Sequence, residues 1–310
     1  MTSVRDLLAR GSRALSGDER NVTSARDEAA LLLAHTMDVP RAWLIAHGED
    51  EVDETRRVAF DDLISRRARG EPVAYLTGRR GFHSLELHVT PHVLIPRPET
   101  ELLAELALAR IPSETKRSCS PDGVKRNPGQ IAADSPDSAA LHPGYKIADL
   151  GTGSGAIALA IAHARPRAHV IATDASEAAL NVARDNAQRL GLRNIEFLQG
   201  DWCAALGEMR DFDLIVSNPP YVAENDPHLG EGDLRFEPRA ALVSGSDGLD
   251  AIRTIVRDAR AHLCEGGWLL FEHGHDQGEA ARALLMQNGY ADVFTARDLE
   301  GRERVSGGFV

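Results

Sequence analysis

The sequence predicts an α/β protein: a mostly parallel, seven-stranded sheet covered by helices, behind a small helical region and a β-hairpin. Three observations carry this. From Lys146 onward, strand-length apolar runs alternate with helix-length amphipathic stretches, as in a parallel sheet with crossover helices. Residues 1 to about 70 have helical apolar spacing and no strand signal. Between these regions, over residues 81–89, the apolar period changes to two, and Phe82, Leu85, Leu87 and Val89 fit a short hairpin.

In chain order, residues 24–33 form one amphipathic helical segment and residues 52–69 another. Arg56, Arg57, Arg66, Arg67 and Arg69 give the second a basic face, either a solvated surface or a docking surface for an acidic partner. Leu94-Ile95-Pro96-Arg97-Pro98-Glu99 is extended, because prolines disfavour helix at and before their own positions. A helix follows, with Thr100 as its expected N-cap and Leu102, Leu103, Leu106 and Leu108 as its apolar face. Residues 112–144 are rich in Pro, Ser, Gly and Asp, lack periodicity, and are expected to be a disordered insert. Strand candidates then begin at Lys146, His169, Asn194, Phe212, Trp268, Ala291 and Arg304. A helix over residues 177–190 closes at Gly191. The expected boundaries are a helical domain over 1–78, a hairpin linker over 79–99 and an α/β domain over 100–310.

At 310 residues the chain can build two cores. A formal net charge of −12 argues against salt-driven binding to DNA or RNA. Cys119, Cys203 and Cys264 show no CxxC spacing, so neither a disulfide framework nor a zinc site is expected. The start of the chain turns charged at once, without the apolar core of a signal peptide, and no apolar run is long enough to span a bilayer. The expectation is a cytoplasmic protein without membrane association.

The chemistry concentrates at strand ends, where open α/β sheets bind ligands. Asn218-Pro219-Pro220-Tyr221 follows the apolar run Phe212-Asp213-Leu214-Ile215-Val216-Ser217. Two prolines make a stiff turn, holding the Asn218 amide and nearby carbonyls as acceptors for an NH2 group. Tyr221 offers a ring for a flat amide or base to stack on. A proline-stiffened loop with a capping Asn is the alternative.

Gly151-Thr152-Gly153-Ser154-Gly155 follows Ile147-Ala148-Asp149-Leu150 and opens an apolar helix, permitting close backbone approach to a ligand. Gly151, Gly153 and Ala156 also satisfy a dinucleotide fingerprint. Asp174, ending the next strand, suits ribose hydroxyls in either case. Asp149 favours a methyl donor: its carboxylate would repel a pyrophosphate but suits the ammonium of S-adenosylmethionine. Trp202 offers a flat ring for adenine, or is a core aromatic. Glu272-His273-Gly274-His275 lacks further ligands at metal spacing and reads as a strand-end loop, so no metal is expected. Gly245-Ser246-Asp247-Gly248 reads as a turn before a helix.

These residues, in this order, resemble class I S-adenosylmethionine-dependent methyltransferases with a Rossmann-like domain. Tyr75-Leu76-Thr77-Gly78, the Leu94-to-Glu99 segment, the Asp149 loop, the Phe212-to-Tyr221 segment and Glu237-Pro238-Arg239-Ala240-Ala241-Leu242 together resemble the release factor glutamine methyltransferase (HemK/PrmC) family. The resemblance covers nearly everything outside residues 112–144. It implies N5-methylation of the glutamine in the Gly-Gly-Gln motif of class 1 peptide chain release factors. It also implies donor contacts from Gly151, Thr152, Gly153, Ser154, Gly155, Asp174, Trp202 and Asn218. Catalysis would rest on Asn218 and Pro219, and glutamine binding on Asn218, Pro219, Pro220 and Tyr221. Arg97 and Glu99 would help close the site, and residues 1–78 would recognise the substrate. The alternatives are an adenine-N6 or other nucleic-acid methyltransferase, and a non-catalytic scaffold of the same fold.

Overall fold

The computed structural model describes residues 2–16, 22–111 and 144–310. The expected insert at 112–144 lies, but for its last residue, outside them. The chain divides into two compact units, residues 1–79 with 89–91 and 227–237, and residues 80–88 with 92–226 and 238–310.

Among the described residues, the first unit holds five α-helices: α1 (Val4–Leu15), α2 (Val22–Met37), α3 (Arg41–Ala46), α4 (Glu54–Ala68) and α5 (Val73–Thr77). Helix α1 starts with a reciprocal cap between Ser3 and Asp6. Helix α4 starts at Asp53, whose side chain accepts from the Arg56 N–H. Val4, Leu7, Leu32, Leu33, Leu44, Phe60 and Leu76 meet in one core. Contrary to the absence of strand signal, β1 (Thr2–Ser3) pairs with β2 (Glu51–Val52). Two residues per strand are too few to show a period.

Four of the five arginines of the α4 face are paired with acids inside this unit. Arg56 faces Asp53, Arg57 faces Glu54 and Asp61, and Arg66 faces Glu71. Arg67 reaches both Glu28 and Asp233, at 2.9 and 2.8 Å. Arg69 instead donates to the Ser65 hydroxyl at 2.8 Å.

The second unit contains a two-stranded pair, β3 (Arg79–Phe82) and β4 (Leu85–His88), then helix α6 (Thr100–Arg110). The alternation follows: β5 (Lys146–Leu150), α7 (Ala156–Ala164), β6 (His169–Asp174), α8 (Glu177–Arg189), β7 (Ile195–Gln199) and β8 (Phe212–Ser217). It ends with α9 (Asp250–Ala259), β9 (Leu263–Glu272), α10 (Gly278–Gln287), β10 (Ala291–Arg297) and β11 (Glu303–Phe309). The seven-stranded sheet has the order β10-β11-β9-β8-β5-β6-β7. Strands β9, β8, β5, β6 and β7 are mutually parallel, and β11 runs antiparallel to both its neighbours.

Side chains alternate across the sheet, as strand geometry requires. Ile147, Val170, Leu214 and Val216 pack with α6 and α7 on one face, while Ala148, Ile171, Ile215 and Leu269 pack with α9 and α10 on the other. Strand β9 starts five residues before the expected Trp268. It runs through Gly266 and Gly267, with Gly266 at φ 78° and a register shift against β8 between Phe212 and Leu214. The glycine pair marks a bulge rather than a strand end. Cys203 is a buried free thiol. Among the described residues, no helix is long and apolar enough to cross a membrane.

Candidate active site

Within the second unit, the ends of β5, β6 and β8 border a cleft of ≈ 260 Å³, the scale of a small-molecule site. Its wall includes Gly151, Thr152, Gly153, Ser154, Asp174, Trp202, Asn218 and Pro220. Three expected residues are not on it. Gly155 and Pro219 are buried, and Tyr221 is half-buried away from the wall.

The loop after β5 depends on its glycines. Gly151, Gly153 and Gly155 take φ values of 73°, 58° and 86°, where a Cβ is strained. A Cβ on Gly151 would stand 2.9 Å from the Trp202 ring, and one on Gly155 2.8 Å from Leu159. A Cβ on Gly153 meets nothing within 4 Å, so the bare backbone there borders open cleft. The Gly153 N–H donates to Asp174 Oδ2 at 2.9 Å and the Ser176 N–H to Oδ1 at 2.8 Å. Each carboxylate oxygen keeps a lone pair for a further donor, such as a ribose hydroxyl.

Asp149 behaves differently from expectation. It is fully buried behind the loop and does not line the cleft. Its Oδ2 accepts from the Thr152 hydroxyl at 2.6 Å and the Ala158 N–H at 3.2 Å, so it ties the loop to the first turn of α7. Burial pushes its carboxyl up to about 7, against the pull of those two donors. Its role here is to hold the loop in shape. Burial also raises Asp174.

Trp202 opens a 3-10 turn at φ 40°, an uncommon conformation for a large side chain. It packs on the core and also borders the cleft.

At the end of β8, Asn218 Nδ2 donates to Thr100 Oγ1 at 3.0 Å. Thr100 is therefore no N-cap: the cap position is Glu99, without a side-chain cap bond, and the Thr100 hydroxyl is engaged by Asn218. Tyr221 donates its hydroxyl to Glu272 Oε1 at 3.0 Å, and its carbonyl accepts from Gln277 Nε2 at the same distance. Burial pushes the Tyr221 phenol well above its usual range, and the Glu272 carboxylate adds to this. Arg97 and Glu99 are absent from the cleft wall, where Pro96 and Thr100 stand instead.

Sequence reasoning missed Thr100 as a partner of Asn218 and Glu272 as a buried acid. His92, Val93 and Leu94 also line the cleft, as do Pro238, Ala240 and Ala241 of the motif at 237–242. His273 is buried, bonding Ser306 Oγ and the Gly274 carbonyl, as the strand-end reading expected. Gly245 to Gly248 form a turn in which Asp247 Oδ1 accepts from the Leu249 N–H, while the nearby Ser244 hydroxyl caps the Ala251 N–H. Among the described residues, no group of three or more His, Cys, Asp or Glu is placed to hold a metal ion.

The sheet order, its single reversed strand and a cleft over the central strand ends are those of a class I methyltransferase. The hMettl16 catalytic domain in complex with the MAT2A 3'UTR hairpin 6 aligns with a TM-score of 0.51 at 13% identity, over 83% of this chain and 82% of that one, a likeness of fold alone. The PrmC N-terminal domain family matches residues 6–78, and a methyltransferase domain family matches residues 141–263. The release factor glutamine methyltransferase of Xylella fastidiosa is 50% identical over 91% of this chain and 92% of its own. That of Bordetella pertussis is 46% identical over the whole of both chains, and that of Salmonella typhimurium 45% over 93% and 94%. The chain belongs to the release factor glutamine methyltransferase family and is a methyltransferase.

Proposed function

We propose that this enzyme methylates N5 of the glutamine in the Gly-Gly-Gln motif of class 1 peptide chain release factors, with S-adenosylmethionine as co-substrate. The observation that carries the reading is Asn218. Its nitrogen end is engaged by Thr100, so its oxygen end is left to accept from an incoming NH2 group at the cleft.

The residues fit the donor. The Gly151–Gly155 turn brings backbone to the cleft, Asp174 keeps acceptor capacity for ribose hydroxyls, and Trp202 sets a ring beside Gly151 for the adenine. When bound, the donor supplies a methyl group activated on a sulfonium.

An amide nitrogen is a poor nucleophile, because its lone pair is delocalised into the carbonyl. The task of the chain is therefore positioning. Asn218 Oδ1 accepts one N–H and the Pro219 carbonyl accepts the other, which keeps the nitrogen from rotating out of line. Both acceptors present negative dipoles where positive charge grows on nitrogen. As the N–C bond forms, the S–C bonding pair goes to sulfur. The extra proton on nitrogen is acidic enough to leave to water, so no strong general base is required.

Tyr221 belongs to this site as a support, its hydroxyl held by Glu272 and its carbonyl by Gln277. Residues 1–78 form the substrate-recognition domain in this reading, and the acidic chain works in the cytoplasm without stable nucleic-acid or membrane binding. The test is tritiated methyl transfer into a purified release factor, into the same factor with its Gly-Gly-Gln glutamine changed to alanine, and into DNA. Label in the intact factor alone is the expected result. Label in the altered factor, or faster labelling of adenine in DNA, would overturn the assignment.

A further inference from the structure

Asn186 is 1% exposed in the last turn of α8, and the reaction as described makes no use of it. Asparagine is a mediocre helix former, and a buried amide is costly unless its hydrogen bonds are made. Here three are made. Its Oδ1 accepts from the His88 N–H at 2.6 Å, and its Nδ2 donates to the His88 carbonyl at 2.9 Å and to the Ser154 carbonyl at 3.0 Å. A single orientation of the amide satisfies all three, since one end meets a donor and the other meets two acceptors.

The two partners lead to different segments of the cleft wall. Ser154 belongs to the glycine loop after β5 and lines the cleft itself. His88 ends β4, and four residues later the chain lines the cleft at His92, Val93 and Leu94. Asn186 meets the His88 backbone as a neighbouring strand would, taking both its N–H and its carbonyl, and turns its remaining N–H to the loop. Helix α8 backs the loop one turn earlier as well, where a Cβ on Gly155 would stand 3.2 Å from the Ala183 Cβ.

We propose that Asn186 is a positioning residue for the methyl donor: it fixes the glycine loop to the end of the hairpin, so that both wall segments hold their binding shape before the donor arrives. The inference rests on the donor reading of that loop and not on the identity of the methyl acceptor. A loop already in shape loses little freedom on binding. A loop in shape only about a tenth of the time weakens affinity by the inverse of that fraction, about tenfold. A bound donor holds the loop by its own contacts, so the rate at saturating donor survives the loss of the clamp.

The experiment is calorimetry of donor binding to the full chain, with steady-state methyl transfer into release factor and urea unfolding on the same proteins. Asn194 is the matched control: its Nδ2 donates to the carbonyls of Ala162, Arg165 and Ala168 at 3.1, 3.2 and 3.1 Å, and none of these residues lines the cleft. Asn186→Ala and Asn194→Ala each remove three hydrogen bonds, and both should lower the urea midpoint. Asn186→Ala should raise the donor Kd about tenfold or more, with kcat at saturating donor within about threefold of wild type. Asn194→Ala should leave the donor Kd within about twofold, because its bonds hold no part of the wall. An unchanged Kd in Asn186→Ala, an equal rise in Asn194→Ala, or a loss confined to kcat would each overturn the proposal. Should Asn186→Ala fail to fold, Asn186→Asp takes its place under the same Kd thresholds. As a carboxylate it keeps the volume and the acceptor for the His88 N–H but donates to neither carbonyl. A wild-type chain that binds no donor would overturn the donor reading and this role with it, whereas an Asn186→Ala chain that binds donor as tightly as wild type refutes the role of Asn186 and leaves the donor reading standing.

Discussion

Asp149 should make this protein less stable as pH rises, and Asp149→Asn should remove that slope. The folded-state carboxyl titrates at about 7 against an ordinary value of 3.8, with burial as the chief cause. Because the folded value is the higher, the folded state holds a proton that the unfolded chain has released between about pH 4 and pH 7. Stability therefore falls as pH rises through that window. The full shift corresponds to about 4 kcal/mol at pH 8, at about 1.4 kcal/mol per unit. At pH 5 the unfolded chain has already lost most of its proton, so about 2 to 3 kcal/mol of the change falls between pH 5 and pH 8.

Asparagine can still accept from Thr152 and Ala158 through its oxygen. Its NH2 takes the place of the unpartnered Oδ1, at a cost that does not vary with pH. Asp174 and Glu272, both raised by burial, and His273, lowered by it, titrate in both proteins and largely cancel in the difference. The assay is urea unfolding of the two proteins at pH 5 and pH 8. Wild type should lose about 2 to 3 kcal/mol more than the variant over that interval. Parallel pH profiles would refute a buried, late-titrating carboxyl at this position.

Asn218→Ala should slow methyl transfer by about a hundredfold, on the order of 3 kcal/mol, with donor affinity in calorimetry falling much less. Gly151→Ala adds a Cβ 2.9 Å from the Trp202 ring at a φ of 73°, so the ring must move. Donor affinity should fall about tenfold or more, as that crowding and strain exceed about 1.4 kcal/mol; an unchanged Kd would mean the loop has no fixed shape. Arg67→Ala removes bonds to Glu28, Asp233 and the Gly70 and Glu71 carbonyls. Thermal unfolding should show a loss of about 2 kcal/mol or more, because carboxylates in a partly buried network lose their counter-charge; a loss under about 0.5 kcal/mol would place those pairs with ordinary surface ion pairs.

The alternation of strands and helices after residue 146, the glycine turn after β5 and the stiff Asn218 turn after β8 were all legible in the chain. Each is written locally: in an apolar period, in a φ that favours glycine, or in a proline that cannot join a ladder. The start of β9 was not, because Gly266 and Gly267 look like a break until the sheet shows them absorbing a bulge. Asp149 was recognised as important but assigned to the ligand, because nothing in its neighbours says on which side of the loop its carboxylate falls. Thr100 reads as a helix cap and Glu272 as the end of a strand when each is seen among its own neighbours. Only the packed α/β unit sets Thr100 against Asn218, 118 positions later, and Tyr221 against Glu272, 51 positions later. Local pattern records which residues a strand or helix must bury, whereas hydrogen-bond partners across elements depend on which strand ends the sheet order makes neighbours.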